Sequence, residues 1–143
     1  MMRVDIQRVF RASMHCLPEA TAFVENYCNS HGVAHNDTLR LALIVEELFT
    51  NTVVHGHGGD GDSTVRLELT VGKGQLELLY EDAAPQFDLL AHLDQAAPDL
   101  NTEIGDRPLG GLGLALVAQM ASSLSYAREY GLNRLRLVLR RQS

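Results

Sequence analysis

The chain has few cysteines, no long apolar run and no excess of basic residues. Its two cysteines, Cys16 and Cys28, are too few for a disulfide scaffold or a cysteine-rich zinc site, so we expect free thiols in a reducing cytoplasm. No stretch approaches the roughly 20 apolar residues that span a bilayer, and Arg3, Asp5 and Arg8 argue against a secretory signal. The formal net charge of −6 argues against non-specific nucleic-acid binding, which depends on a basic surface. We therefore expect a cytoplasmic protein without direct nucleic-acid or membrane partners.

Several familiar catalytic signatures are also missing. A P-loop needs a lysine after its glycines, but here the glycine run at 110–113 is followed by Leu114. The same run lacks the third small residue of a dinucleotide fingerprint, and a long irregular segment precedes it instead of a strand. There is no serine-hydrolase elbow and no HExxH zinc motif. A composition of 45% hydrophobic and 21% charged residues is ordinary for a globular protein, and we expect one domain over residues 1–143.

The spacing of apolar residues predicts strands and helices along the chain. Two-residue alternation indicates strands at residues 4–10, 65–71, 75–80, 124–130 and 135–139. Helical spacing indicates a first helix from Pro18 to just before Gly32, a second from Asn36 or Asp37 to about His55, and a third from 110–113 to about 122. Turns are predicted at 72–74 and 131–133. Adjacent hairpins imply a mixed, largely antiparallel sheet with helices packed on one face.

Three short stretches carry candidate functional side chains. Glu47, Asn51 and His55 are spaced by four and form a stripe beside the apolar face of the second predicted helix; the alternative is that they are solvated or cap a loop. Asp82 follows a strand and can accept a hydrogen bond from the amino group of a base, or can simply end the strand in a turn. The glycines at 110–113 let backbone approach a phosphate at a helix start, or only allow close packing.

In their order along the chain, these stretches resemble the motifs of the GHKL ATPase superfamily, which includes gyrase, Hsp90, the histidine kinases and MutL. Within it, the chain resembles the anti-sigma-factor serine kinase branch. That branch carries a string close to Glu-x-x-x-Asn-x-x-x-His-(Gly/Ala), seen here as Glu47, Asn51, His55 and Gly56. Its Asp-x-Gly-x-x-Phe-Asp segment is seen at residues 82–88 with one change. The resemblance covers nearly the whole chain.

The resemblance implies an α/β (α+β) two-layer sandwich, the Bergerat ATP-binding fold, with ATP and Mg²⁺ as cofactors. It implies that Asn51 coordinates Mg²⁺, that Glu47 is the general base and that Asp82 binds the adenine amino group. The other residues assigned to the nucleotide site are His55, Ala84, Phe87, Gly110, Gly111, Leu112, Gly113 and Leu114. Residues 83–109 are expected to form a lid over ATP that is mobile until nucleotide binds.

The implied function is that of an ATP-dependent protein-serine kinase and anti-sigma factor. Its implied partners are an anti-sigma-factor antagonist, which it phosphorylates on a serine, and a sigma factor, which it sequesters; a homodimer is also expected from the family. The alternative is a non-catalytic module of the same fold that sequesters a partner and binds ATP weakly or only structurally. One departure bears on this choice, because Ala84 stands where the branch has a glycine. We expect it to lower ATP affinity and Ala84→Gly to raise it.

Overall fold

The computed structural model describes residues 4–56, 59, 61–85 and 111–142. Five strands are present within them: β1 (Val4–Arg11), β2 (Thr64–Val71), β3 (Gln75–Asp82), β4 (Ser123–Glu129) and β5 (Leu132–Arg140). There are three α-helices: α1 (Leu17–Ser30), α2 (His35–Thr50) and α3 (Gly111–Met120). A 3₁₀ turn (Met14–Cys16) precedes α1, and a π-helical turn (Asn51–Gly56) continues α2. The predicted order of strands and helices is confirmed for these residues.

The strands form one sheet in the order β1-β2-β3-β5-β4, and each of its four pairings is antiparallel. The two-layer fold is confirmed, with a sheet that is antiparallel throughout the described residues. In this register Asp82, the last residue of β3, lies opposite Val65 on one side and opposite Asn133 on the other. We call this end of the sheet, where β3 finishes and β5 begins, the site end.

The helices cover one face of the sheet and bury a continuous apolar core. Alternate strand residues point into it, among them Leu67, Leu78 and Leu137, all of which are fully buried. Phe49 of α2 is the bulkiest side chain buried completely, and burying a side chain of this kind contributes about 2–3 kcal/mol. Cys28 is buried in the same core, and both cysteines are free thiols as predicted.

Helices α2 and α3 run in opposite directions across the sheet. Near the start of α2, Asp37 contacts the backbone of Gln142, beyond the far end of β5. The π turn after α2 reaches the site end, where Thr52 contacts Asp82. Helix α3 begins at the site end, and the chain after it reaches Ser122. The N–H of Ser122 donates a hydrogen bond to the carbonyl oxygen of Val138, which lies near the opposite end of β5. The end of α2 and the start of α3 therefore both lie at the site end.

Three local predictions were wrong in detail. The residue before α2 is Ala34 rather than Asn36 or Asp37, and no side chain caps this helix. The α-helix ends at Thr50, because the backbone becomes π-helical at Asn51. The last hairpin turns at Tyr130 and Gly131, one residue before the predicted turn at 131–133. Both residues have positive φ, which is typical of tight two-residue hairpin turns. In addition, none of the described helices is long and apolar enough to cross a membrane.

Candidate functional site

Asp82 is buried at the site end, and both of its carboxylate oxygens accept hydrogen bonds. Oδ1 accepts from the backbone N–H of Ala84 at 3.0 Å and from Asn133 Nδ2 at 2.9 Å. Oδ2 accepts from the hydroxyl of Thr52 at 2.8 Å. The bond to Ala84 is the one expected of a turn aspartate. Asp82 therefore has the turn role considered from sequence, and it also bonds Asn133 and Thr52. Oδ2 has only one described donor, which leaves it able to accept a second hydrogen bond.

A buried hydroxyl pair ties Asp82 to the end of α2. The hydroxyl of Tyr80 lies 2.6 Å from Thr52 Oγ1 and 3.0 Å from the carbonyl oxygen of Leu48. Burial raises the pKa of Tyr80 well above its ordinary value, and the charge of Asp82 raises it further. Tyr80 therefore stays protonated and can donate to Thr52 while Thr52 donates to Asp82. This arrangement holds the carboxylate in one position.

Asn133 is a site residue that sequence reasoning missed. It is buried in β5, and its Nδ2 donates to Asp82 and to the carbonyls of Ala84 and Pro85, at 2.9, 3.2 and 3.1 Å. Its Oδ1 accepts from the hydroxyl of Tyr126 at 2.6 Å. The buried two-residue alternation of β5 begins at Asn133, whereas the sequence predicted a turn there and a strand only from residue 135.

Ala84 is held on several sides. Its N–H bonds Asp82, and its carbonyl oxygen accepts from Arg128 Nη1 at 2.9 Å as well as from Asn133. Its methyl group is buried and faces Gly56 at the end of the π turn. Residues 82–85 are thus fixed in place by the last two strands.

Glu47 is partly buried near the end of α2 and makes no hydrogen bond or ion pair with any residue that the structure describes. Burial raises the pKa of Glu47, and the negative charge of the neighbouring Glu46 raises it further. Glu46 itself is exposed, as expected for a position turned by about 100° on the helix. A partly buried carboxylate without a partner is uncommon in a purely structural role, because burial penalises the charge.

The carboxylate of Glu47 packs directly against Gly113 near the start of α3. A Cβ at position 113 would overlap the Glu47 carboxylate oxygen and would lie 2.8 Å from its carboxyl carbon. The missing side chain is therefore what allows the two helices to enclose this carboxylate. The next residue, Leu114, is fully buried and belongs to the core.

Asn51 and His55 lie on the π turn. The backbone N–H of Asn51 bonds the carbonyls of Glu47 and Leu48, while its partly exposed amide has no hydrogen-bond partner among the described residues. An amide oxygen is a ligand that suits Mg²⁺, so Asn51 fits the predicted metal role. His55 is exposed. Single π turns inside helices are frequent at functional sites, and this one begins about one helical turn after Glu47, the predicted general base.

Some predicted site residues cannot be placed. Phe87 and Gly110 lie outside the described residues, as does the predicted lid apart from residues 83–85. For Gly111 and Leu112 only the helical backbone is described.

Comparison with known proteins shows the family. Residues 10–139 match the family described as Histidine kinase-like ATPase domain, and the chain belongs to it. The chain is 27% identical over 94 residues to the serine-protein kinase RsbW of Listeria monocytogenes, and 26% identical over 94 residues to RsbW of Listeria innocua. Each match takes in 65% of this chain and 60% of the relative, so the chain spans less than two thirds of these relatives. The predicted membership in the GHKL superfamily is confirmed by the family match, and the relatives that the chain resembles are named as serine-protein kinases.

Two solved structures share the fold. The SiaB–SiaC complex from Pseudomonas aeruginosa superposes with a TM-score of 0.65 at 15% identity, over 94% of this chain and 88% of that chain. The RsbU and RsbW domains of Rv1364c from Mycobacterium tuberculosis give a TM-score of 0.65 at 15% identity, over 96% of this chain and 32% of that chain. These matches confirm the two-layer fold.

Proposed function

We propose that this chain is an ATP-dependent protein-serine kinase of the anti-sigma-factor type. It phosphorylates a serine of an antagonist protein and sequesters a sigma factor. The observation that carries the proposal is the meeting of three sequence-distant motifs at the site end. Glu47 lies against Gly113, and Thr52, one residue after Asn51, donates to Asp82.

Glu47 is the proposed general base. The oxygen of the substrate serine forms a bond to the γ-phosphorus as the bond between that phosphorus and ADP breaks, and the hydroxyl proton passes to the Glu47 carboxylate. A base needs a free carboxylate, and Glu47 is unpaired within the described residues. Its raised pKa makes it a better proton acceptor than an exposed glutamate.

Asp82 is the proposed base-recognition residue, and Asn51 the proposed metal ligand. An ionised carboxylate only accepts hydrogen bonds, so Oδ2 favours the amino group of adenine over the carbonyl oxygen that guanine presents. Mg²⁺ bound with ATP would neutralise charge on the phosphates, and the amide oxygen of Asn51 is the ligand that we propose for it. We therefore expect ATP to bind better than GTP.

The partners are supported by the relatives. The matching proteins are named as serine-protein kinases, and one structural neighbour was solved in a SiaB–SiaC complex. A protein substrate for this chain is consistent with both. The sigma factor and the homodimer rest on the family resemblance.

Nucleotide binding is tested first. Calorimetry with Mg-ATP should show binding to the wild type and at least about tenfold weaker binding to Asn51→Ala, because a metal ligand is lost. The folded structure should be unchanged, since the Asn51 side chain bonds no described residue. Equal affinities would remove Asn51 from the site.

Catalysis is tested by phosphoryl transfer from labelled ATP to a candidate antagonist. At saturating ATP, Glu47→Gln should slow transfer roughly 10²-fold while ATP affinity is retained. The matched control is Glu46→Gln, the exposed neighbour, which should transfer at close to the wild-type rate. Transfer by Glu47→Gln at the wild-type rate would refute the general-base role. A wild type that transfers nothing yet holds a sigma factor would establish the non-catalytic alternative.

A further inference from the structure

Two small residues meet where the π turn approaches the exit of β3. A Cβ built on Gly56 would lie 3.0 Å from the methyl carbon of Ala84, closer than two such atoms normally come. The next nearest atom, the carbonyl oxygen of Asn51, would be at an ordinary 3.7 Å. The contact therefore has room for one methyl group and not for two.

Ala84 cannot retreat from this contact cheaply. Its N–H bonds Asp82 Oδ1 at 3.0 Å, and its carbonyl accepts from Arg128 at 2.9 Å and from Asn133 at 3.2 Å. Moving its backbone would stretch these bonds, and a buried polar group left without a partner is costly. A second methyl at position 56 would therefore push on a segment that also positions Asp82.

We infer that Gly56 and Ala84 form a one-methyl positioning pair, which sets the spacing between the π turn and Asp82 and so controls how well the site selects its base. This role rests on the proposed ATP-binding function. It also reverses the sign expected from sequence for Ala84→Gly. The methyl of Ala84 fills the space beside Gly56, so removing it opens a gap and frees the backbone, and ATP affinity should fall slightly instead of rising.

The test is a double-mutant cycle of Gly56→Ala, Ala84→Gly and the exchanged double variant. We measure Tm without nucleotide, and the affinities for Mg-ATP and Mg-GTP well below every Tm. Gly56→Ala should lower Tm, weaken ATP about tenfold and reduce the preference for ATP over GTP. The exchanged variant again has one methyl and should recover to within about threefold of the wild type in both the affinity and the preference.

The matched control is Gly74→Ala, where an added Cβ meets nothing within 4 Å, so it reports the general effect of replacing a glycine. If the exchanged variant is no better than Gly56→Ala in Tm, affinity and preference, the pairing is refuted. If Tm shows the coupling but the ATP preference does not change in any variant, the contact is only structural and the inference is overturned. If the wild type binds no ATP, the proposed function fails and this role fails with it, whereas ATP binding without coupling refutes only the pair.

Discussion

Helix α2 carries a carboxylate near each end, and the two have opposite surroundings. Asp37 near the start is fully buried and accepts hydrogen bonds from Arg40 and from the backbone N–H of Gln142. Burial by itself would raise the pKa of Asp37, but these hydrogen bonds, together with the charges of Arg40 and Arg141, hold it below its ordinary value. Glu47 near the other end is partly buried without a described partner, and burial raises its pKa.

The difference separates a structural carboxylate from a reactive one. Asp37 ties the first turn of α2 to the end of β5, and Arg40 adds a bond of 2.9 Å to the carbonyl of Arg140. At Asp37 the hydrogen bonds and the neighbouring positive charges outweigh the cost of burial and stabilise the charged form. At Glu47 the protein accepts the cost of a partly buried carboxylate that has no partner among the described residues, which is reasonable only where that carboxylate acts on something else.

The largest expected effect is on stability. Asp37→Ala should lower the free energy of unfolding by about 2–3 kcal/mol, because it leaves Arg40 and the Gln142 N–H without their buried partner. Glu47→Ala should change it far less, since no described bond is lost. Urea denaturation of both variants measures the difference. Equal losses would mean that Glu47 is as structural as Asp37.

A smaller effect, on the rate of phosphoryl transfer, is expected from Gly113→Ala. This variant tests whether the missing side chain at position 113 is needed to position the Glu47 carboxylate. The added methyl would overlap the carboxylate, and the flexible Glu47 side chain would have to move. Phosphoryl transfer at saturating ATP should fall about tenfold, because misplacing a catalytic group by about an ångström is costly.

The control is the same change made in the Glu47→Gln background. If Gly113→Ala acts by displacing the carboxylate, it should cause little further loss of transfer there. A full additional tenfold loss would show that Gly113 contributes to the site independently of Glu47.

The smallest expected effect is in the pH dependence of stability, and the two carboxylates should differ in sign. The pKa of Asp37 is lowered in the folded state, so the ionised carboxylate stabilises the fold. This contribution to the free energy of unfolding is present above the unfolded pKa of about 3.9 and is lost as pH falls through the folded pKa. The pKa of Glu47 is raised, so its ionised form costs stability above about pH 4.3 and not below.

Unfolding measured from about pH 2 to pH 7 tests this difference. Glu47→Gln should raise Tm by no more than about 2 °C at pH 7 and by nothing at pH 4, because solvent screens a partly exposed group. The Tm of Asp37→Asn should instead lie below that of the wild type by a constant amount near neutrality, and this difference should shrink below pH 4. If the Tm difference between Glu47→Gln and the wild type is less favourable to the variant at pH 7 than at pH 4, the ionised Glu47 stabilises the fold. That result would contradict a carboxylate without a partner.

Much of the fold was predictable because its signals are local. Alternation of buried and exposed residues predicted the strands, and helical spacing predicted α1 with Pro18 in its first turn. The candidates Glu47, Asn51 and Asp82 were found by motif, and the structure places them at one end of the sheet. Asn133 and Arg128 were missed, because their roles exist only after β3 pairs with β5 and the chain leaving β3 reaches them.

The π turn and the small-residue contact could not be read from the sequence either. Four-residue spacing looks the same before and after Asn51, although the backbone changes from α to π there. Ala84 looked like a defect in a nucleotide motif, whereas in the structure its methyl faces Gly56. Neither feature follows from residues adjacent in sequence.

The sequence by itself determined the order of the strands and helices and the family motifs, because each depends on a periodicity or spacing within one short segment. The tertiary structure alone decided what each polar side chain does. Asp37 and Glu47 are carboxylates on the same helix, and their difference comes from what the rest of the chain brings to them: the N–H of Gln142 to one and the bare backbone of Gly113 to the other. The free energy of a charge depends on the atoms within a few ångströms of it, and here those atoms come from distant parts of the sequence.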